Sequence, residues 1–458
     1  MSGLFQSLTS AANAMDAQRM GLDTVGQNMA NVNTPGYARR RLILGELPPT
    51  SWKNAGRGVE VLQIQAQRDR YIEDRLRREQ SGASYTGAQL QGLSSLQTSI
   101  GLPGAGLDAR LSGLFDAFST LANDVTSPTA RDNVVAQGRS LALSFNAMAE
   151  RLAGARRDAD GAIRGAVDEV NQLAEEIAHL NDKIVSANGV DTEAIRDRRG
   201  VALTRLAELA GVNVVERADG AADVSIGPGF ALVVGAHAFQ LSMTPSSPSA
   251  MGVITIGGID ITSQIATGTM GGLLDLRDTV LPGYQTQLDQ FAFDFATQFN
   301  ALHTTGFDGN GNAAGDFFVQ PGAVAGAAAA FAIDPGVAGN SLLVAGSATG
   351  APGNNEIARD LAALRDARVL SGGTATAAEA WGQFVYRVGS DIATAESDDD
   401  THSQVALQLQ KLRDSASGVS MDEEAAWLMK YQRAYEASAR YFTTVNSAIE
   451  TLMQMVMR

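Results

Sequence analysis

The chain has 458 residues, a formal net charge of -15 at pH 7 and no cysteine. The acidic balance argues against binding to nucleic acid, whose phosphates require a basic protein face. No apolar run reaches the roughly 18 residues that predict a membrane span, and the absence of cysteine excludes disulfides, thiolate catalysis and cysteine metal sites. We therefore expect a large protein of two or three domains that binds neither nucleic acid nor membrane.

A regular apolar seam occupies the first 32 residues. Its members follow one another in alternating steps of four and three residues, which is the spacing of a coiled-coil helix. They are Leu4, Leu8, Ala11, Met15, Gln18, Leu22, Val25, Met29 and Val32, and only Gln18 is polar. The other faces carry few charges, so we expect this helix to be packed on several sides.

A turn is predicted directly after this helix. Pro35 disfavours helical backbone at Thr34, and Gly36 permits a positive φ, so the chain is expected to leave the helix here. We call this segment the signature turn; its residues are Asn31, Asn33, Thr34, Pro35, Gly36 and Tyr37. The basic run 39–41 that follows is interpreted as a solvated charge cluster, with a contact to a neighbouring subunit as the alternative.

An extended arm and then a helical block are predicted next. Alternating apolar residues and Gly/Pro-rich loops indicate a short hairpin or arm after residue 42. Helices are expected over 68–80, 85–100, 107–125, 129–152, 163–187 and 191–209. We assign 1–60 to the N-terminal half of a terminal coiled-coil domain plus the arm, and 61–210 to the first part of a helical domain.

At Gly211 the pattern changes to short β-type runs separated by Gly, Asp, Pro and Ser. This pattern predicts a small all-β domain, 211–269, inserted into a mainly α protein. A helix with an aromatic stripe is expected from Gly272 to Leu302. The stripe has the spacing of one buried helix face, so we interpret it as core packing and not as a cofactor pocket.

The second part of the helical domain is predicted to cover 270–416. Residues 305–355 are rich in Gly, Ala and Asn and are expected to form loops, whereas helices are expected over 356–369 and 377–416. A C-terminal segment, 417–458, then completes the terminal coiled-coil domain.

The C-terminal segment repeats the heptad spacing of the first helix. Its seam consists of Leu428, Tyr431, Tyr435, Ser438, Phe442, Val445, Ile449, Leu452 and Val456. A turn at Gly418, a capping residue at Ser420 and the acids 422–424 mark the start of this helix. The two seams predict that the terminal helices pair as a coiled coil.

The energy balance indicates that the two terminal helices need further packing partners besides each other. Burying nine medium-sized apolar side chains is worth about 15–25 kcal/mol. Ordering about 30 residues costs on the order of 45 kcal/mol. Neither helix can therefore stand alone, and we expect copies of the same chain to cover the remaining faces.

Motifs that carry chemistry are sparse. Asp308, Asn310, Asn312 and Asp316 have part of the spacing of a calcium loop, but the glutamate at its twelfth position is missing, so a Gly/Asn/Asp turn is favoured. The histidines are scattered, the segment 227–229 resembles a turn between strands, and the acids 398–400 are interpreted as a solvated cluster with a subunit contact as the alternative. No catalytic, cofactor or metal site is predicted, and we do not expect an enzyme.

Both ends resemble one known family. The string ANVNTPGYARRR and the segment GVSMDEEAAWLMKYQRAYEASARYFTTVNSAIETL are similar to the N-terminal and C-terminal signatures of the flagellar rod, hook and hook-associated axial proteins. The resemblance implies a structural subunit of the extracellular bacterial flagellum. It also implies export through a dedicated channel, which agrees with the lack of a secretory signal pattern in the first residues.

Within this family, the helical block and the string GFDGNGNAAGDFF resemble the members that join the hook to the filament. The partners implied are other copies of the chain in a ring or helical layer, the flagellar hook protein, a junction protein on the filament side and an export chaperone. The loop-rich segment 305–355 lies where relatives often have a further domain, so we expect a shortened version here. Alternatives are a hook or distal rod protein or, in a different class, a secreted effector or enzyme with coiled-coil ends.

Overall fold

Long helices packed side by side dominate the computed structural model, which describes residues 2–48, 57–100, 106–187, 192–245 and 251–456. The helices are α1 (Ser2–Ala30), α2 (Arg70–Ile100), α3 (Leu107–Asn123), α4 (Pro128–Ser186), α5 (Glu193–Ala210), α6 (Gly268–Asp275), α7 (Leu281–His303), α8 (Pro335–Gly339), α9 (Glu356–Ala363), α10 (Ala377–Ser417) and α11 (Met421–Val456). The strands are β1 (Arg40–Glu46), β2 (Val59–Ala66), β3 (Val212–Glu216), β4 (Ala222–Ile226), β5 (Phe230–Val234), β6 (His237–Ala238), β7 (Leu241–Pro245), β8 (Gly252–Ile256) and β9 (Ile259–Asp260). The predicted class, mainly α with a small β region, is confirmed.

The two terminal helices pair with each other. Asn28 of α1 contacts Glu424 near the start of α11, whereas Gly21 lies against Tyr431, so the helices run antiparallel. The hairpin β1–β2 follows α1 and lies against it, and Leu42 of β1 is buried. The predicted pairing of the chain ends and the predicted hairpin are both confirmed.

Helices α2 and α10 form a second antiparallel pair, in which Glu79 contacts His402 and Thr86 contacts Asp399. The prediction of separate helices over 68–80 and 85–100 is wrong, because α2 continues through both. Gly82 weakens a helix when considered alone. Here a Cβ at this position would lie 2.8 Å from the His402 ring, so glycine permits the close approach of α10.

A first hydrophobic core lies among α3, α7, α9, the first half of α4 and the first half of α10. The aromatic stripe of α7 faces this core: Tyr284 and Phe299 are fully buried, and Phe295 and Phe299 stack at 5.8 Å. The interpretation of the stripe as core packing is confirmed.

Helix α4 is continuous over 59 residues, so the prediction of two helices, 129–152 and 163–187, is also wrong. The stretch between them is rich in Gly and charge, but tertiary contacts keep it helical: Ala159 is buried, and Asp160 accepts a hydrogen bond of 2.6 Å from Arg277. The first half of α4 contributes to the first core and the second half to another. This helix therefore joins the two halves of the molecule.

The second core combines helices with two small antiparallel sheets. One sheet has the strand order β3-β4-β5-β6 and the other β7-β8-β9. Val224 and Ile254 of the strands lie in one cluster with Ile177 of α4 and Leu206 of α5. The β region therefore shares its core with these helices, and the domain boundaries given above remain predictions.

The loop-rich segment 305–355 packs tightly against the first core. Phe317, Phe318 and Phe331 are almost fully buried, and an isolated antiparallel β-bridge joins Phe318 to Ile333. Sequence reasoning predicted the loops but missed this packing, because the three phenylalanines follow no helical or strand period. The helix predicted over 356–369 ends earlier, at Ala363, where a turn replaces it.

Candidate assembly interface

The apolar seams of the terminal helices are only partly covered in the single chain. In the N-terminal seam, Ala11 and Val25 of α1 are buried, and Val32, which lies just after α1, is 38% exposed. In α11, Val445 is buried, Leu452 is 40% exposed, and the side chain of Val456 lies outside the described residues. The other seam residues are half-buried, namely Leu4, Leu8, Met15, Gln18, Leu22, Met29, Leu428, Tyr431, Tyr435, Ser438, Phe442 and Ile449. Pairing of α1 with α11 thus leaves apolar surface along both seams.

A line of small buried residues on α1, which sequence reasoning missed, includes two positions in close contact with α11, Gly21 and Asn28. Its members are Ala17, Gly21, Thr24 and Asn28, all buried and each one position before a seam residue. A Cβ on Gly21 would lie 2.6 Å from the Tyr431 ring. The signal was present in the sequence, because these residues repeat the four-three spacing of the seam. Gly21 and Asn28 of this line contact α11, and much of the larger seam beside them remains accessible.

The signature turn packs against the helical body. Gly36 has a φ of 77°, and a Cβ there would lie 2.5 Å from Val201 on α5. Only glycine satisfies both the positive φ and this contact. Asn33, Thr34 and Pro35 are exposed, whereas Asn31 caps the end of α1 by donating to the carbonyl of Gln27 at 2.9 Å.

Asn28 joins the turn, the hairpin and α11 through its side-chain amide. Its nitrogen donates to the carbonyl of Arg40 and to Glu424, both at 2.9 Å. Its oxygen accepts from the Tyr37 hydroxyl at 2.8 Å and from the Arg40 amide at 3.0 Å. The side chain is 1% exposed and makes all four hydrogen bonds that an amide offers. No local sequence signal indicated this role, because its partners come from distant segments.

The arginines after the turn are not a solvated cluster, so that interpretation is wrong for Arg39 and Arg40. Arg39 pairs with Glu423 at 2.6 Å and Glu424 at 2.7 Å, which fixes it to α11. Arg40 pairs at 3.1 Å with Asp197 of α5, which Arg68 also contacts. Except for the exposed Glu423 carboxylate, the groups in these ion pairs are largely buried. The pairs connect the terminal helices to the helical body within one chain.

Burial favours the neutral form of the tyrosines in this region. Burial raises the pKa of Tyr37, and the nearby Arg40 guanidinium only partly opposes that increase. Burial likewise raises the pKa of Tyr431 against α1. Tyr37 therefore retains the hydroxyl proton that it donates to Asn28.

The segment with partial calcium-loop spacing forms a turn in which backbone amides of the segment donate hydrogen bonds to the Asp308 carboxylate. Asp308 accepts hydrogen bonds from the amides of Asn310 at 2.8 Å and Asn312 at 2.9 Å. Among the described residues, no group of three or more His, Cys, Asp or Glu is placed to hold a metal ion. Among the helices of this described part of the chain, none is long and apolar enough to cross a bilayer. The arrangement at the chain ends is therefore the strongest candidate for a functional surface.

Three protein-family models match this chain, one over the helical body and one at each end. Residues 93–318 match the family model for the helical domain of the flagellar hook-associated protein FlgK. Residues 8–37 match the model for the flagella basal body rod protein, and 413–455 match the C-terminal model of the flagellar basal body rod FlgEFG proteins. The last two matches contain the seams and the signature turn.

Full-length relatives carry one name. Flagellar hook-associated protein 1 of Escherichia coli strain K12 is 26% identical over 551 residues, covering 99% of this chain and 100% of the relative. The protein of that name from Bacillus subtilis strain 168 is 24% identical over 502 residues, covering 99% and 98%. The solved structure of the flagellar hook junction protein FlgK from Burkholderia pseudomallei has the same fold, with a TM-score of 0.66 and 18% identity over 76% of this chain and 100% of that chain. The chain belongs to the flagellar hook-associated protein 1 family of bacterial flagellar axial proteins.

Proposed function

We propose that the protein is a structural subunit that forms the junction between flagellar hook and filament and assembles through its terminal helices. The observation that carries this proposal is the partly covered seam of the paired helices α1 and α11. Side chains such as Leu22 and Phe442 lie on this pair and remain half-exposed in the single chain. The similar solved structure from Burkholderia pseudomallei is that of a flagellar hook junction protein, which supports the same role for this chain.

Hydrophobic energy favours association of the terminal pairs. Each buried Å² of apolar surface is worth about 25 cal/mol, so neighbours that cover the rest of the seams stabilise both helices. The low charge of α1 also favours association, because the only charged residues of this helix are Asp16, Arg19 and Asp23. Burial of these faces therefore desolvates few charges.

The partners that we propose follow from this role. Copies of the chain pack in a ring or helical layer, the hook protein lies on one side, and a junction protein of the filament lies on the other. The subunit reaches the outside of the cell without a cleaved signal, and an export chaperone keeps its ends from associating early. Its role is structural and not enzymatic.

The length of the relatives supports a shortened loop-rich segment. The alignment with the Escherichia coli relative spans 551 positions, whereas this chain has 458 residues, so at least 93 positions have no counterpart here. We propose that the segment 305–355 accounts for much of this difference. Its tight packing against α7 supports a compact replacement for a larger insertion.

Electron microscopy of a deletion strain tests the proposed role. We expect hooks without attached filaments, and restoration of filaments when the gene is supplied again. Cells that lack hooks would instead favour a hook or rod protein. Normal flagella in the deletion strain would favour an effector or enzyme with coiled-coil ends.

A further inference from the structure

Helices α6 and α7 belong to one continuous helical rod, 268–303, which contains a π-helical turn at Leu276–Val280. In a π-helix each carbonyl bonds to the amide five positions further along the chain. For Arg277 that position is Pro282, which has no N–H. The Nε of Arg156 on α4 donates to the Arg277 carbonyl at 3.0 Å. The π turn therefore receives from α4 a hydrogen bond that Pro282 cannot supply.

This turn lies at the boundary between the two hydrophobic cores. On the rod, the second core ends at Leu274 and the first core begins at Leu276. On α4, the first core ends at Leu152 and the second core begins at Ile163. We call the parts of the molecule around these cores the first-core half and the second-core half. Both α4 and the rod run from one half into the other.

Arg277 occupies the boundary and connects three elements. Its side chain is buried, and the guanidinium donates to Asp160 of α4 at 2.6 Å, to the Gly252 carbonyl of β8 at 2.8 Å and to Asp278 of the rod at 2.7 and 2.8 Å. Asp160 also accepts a hydrogen bond of 2.8 Å from the Gly252 amide. Separation of these elements would leave buried charges without partners, so the bridge resists any change in their relative position.

The helices that pass this boundary carry features at which helices bend. The π turn is one of them. On α4, Gly161 and Gly165 follow Asp160 and have nothing within 4 Å of a Cβ position, so no neighbour requires glycine there, although glycine weakens a helix relative to alanine. On α2, Gly92 lies against the π turn, where a Cβ would be 2.2 Å from Leu276. The rigidity of this boundary therefore depends on the Arg277 bridge more than on helix propensity.

We propose that this boundary is a bending joint between the two halves of the subunit, and that Arg277 holds the joint in the orientation seen here. An apolar residue at this position would join the two cores into one, whereas the polar bridge keeps them separate. Without the bridge, each half retains its own core, and the helices bend at the π turn and at the glycines of α4. The proposal concerns the single chain and does not depend on how copies assemble.

Distances between two spin labels on the isolated chain, measured by pulsed electron paramagnetic resonance, test the proposal. Because the chain has no cysteine, nitroxides attach only at the introduced sites Gln290→Cys on α7 and Ile259→Cys on β9, which are exposed positions in different halves. We expect the distribution of label-to-label distances in Arg277→Ala to be about twofold wider than in the parent. Arg277→Lys should widen it too, because an ammonium keeps the buried charge but lacks the planar fork that reaches all three partners. The lysine variant carries the test if the alanine variant does not fold.

Two controls separate bending at the joint from general loosening. Arg205→Ala removes an ion pair with Glu169 inside the second-core half and should leave the distribution unchanged. A label pair confined to the first-core half, Leu143→Cys with Gln290→Cys, should keep its width in every variant.

Stiffening α4 should reverse the effect. Gly161→Ala and Gly165→Ala, added to the Arg277 variant, favour straight helix at positions with open space and should return the distribution towards the width of the parent. No widening in the folded Arg277 variants, equal widening of the pair within the first-core half, or no narrowing by the two alanines would overturn the joint. None of these outcomes bears on the junction role, which the deletion strain tests.

Discussion

Asn28 and Glu424 lie 396 positions apart in the sequence, yet their side chains are joined by a buried hydrogen bond of 2.9 Å. The bond fixes the register of α1 against α11, because any axial shift separates the two side chains. It also orders the start of the hairpin, since the same amide binds both backbone groups of Arg40. Both chain ends and the segment after the signature turn thus meet at one amide.

Replacement of Asn28 by Ala should weaken the terminal pair. The change leaves the buried Glu424 with one partner fewer and the Arg40 backbone without its partners, which costs about 2–3 kcal/mol. Hydrogen exchange of the amides at the start of α11 measures this as a lower opening free energy. The control is Asn446→Ala, since Asn446 is exposed and bonds only to Glu450 in its own helix. Equal effects of the two changes would contradict the role given to Asn28.

Replacement of Gly21 by Ala should push the terminal helices apart. The new methyl group would overlap the Tyr431 ring, so we expect a loss of about 1–3 kcal/mol in pairing. Gly26→Ala is the matched control, because nothing lies within 4 Å of a Cβ there. The control should stabilise α1 by about 0.5–1 kcal/mol. Hydrogen exchange of the α1 amides measures both effects. A lower opening free energy in Gly21→Ala together with a higher one in Gly26→Ala supports the close contact, whereas a change in the same direction in both variants would contradict it.

Local pattern predicted the seams, the signature turn, the hairpin and the β region, because each depends on residues that are near one another in sequence. The network at Asn28 was not predictable in this way. It brings together Arg39, Arg40, Asp197 and Glu424, and their meeting depends on the antiparallel pairing of the chain ends. The run of arginines consequently looked solvated, although two of them are ion-paired.

The continuity of α2 and α4 was mispredicted for a related reason. Gly82 and the Gly-rich middle of α4 weaken a helix when considered alone, and helical propensity yields to tertiary packing. His402 covers the glycine in α2, and Arg277 binds Asp160 in α4. These partners lie more than 100 positions away in the sequence.

The shared second core predicts coupling between the sheets and α4. Ile254 is fully buried there, whereas Ile259 is 59% exposed on the neighbouring strand. Ile254→Ala should cost about 2–4 kcal/mol through the cavity it leaves, and it should speed hydrogen exchange in the second half of α4. Ile259→Ala should change neither quantity. Unchanged exchange in α4 after Ile254→Ala would show that the sheets fold independently.

His303 makes the stability of the helical body depend on pH. Burial lowers its pKa from 6.5 to about 4; the ring binds the Gly315 carbonyl through Nδ1 and accepts from the Ala345 amide through Nε2. Between pH 6.5 and about 4 the unfolded chain binds this proton, whereas the folded chain does not. The stabilisation is therefore complete above pH 6.5 and is lost as the pH falls towards 4, by about 2–3 kcal/mol.

Urea unfolding at several pH values, with parent and His303→Gln compared, measures this contribution. The parent should lose more stability than the variant between pH 6.5 and 4, since the carboxylates titrate in both proteins. Identical pH profiles would show that His303 does not contribute.

Leu22 tests the central claim, that the partly covered seams of the terminal helices drive assembly between copies. Leu22→Asp places a charge on the half-exposed seam, and assembly would then bury it unpaired at a cost of several kcal/mol. The decisive measurement is incorporation into flagella set beside thermal unfolding of the isolated monomer, with Val25→Asp as the comparison because Val25 is already buried in the single chain. We predict that Leu22→Asp leaves the monomer nearly unchanged and abolishes incorporation, whereas Val25→Asp impairs both. Normal incorporation of Leu22→Asp, or a loss of monomer stability equal to that of Val25→Asp, would contradict the claim.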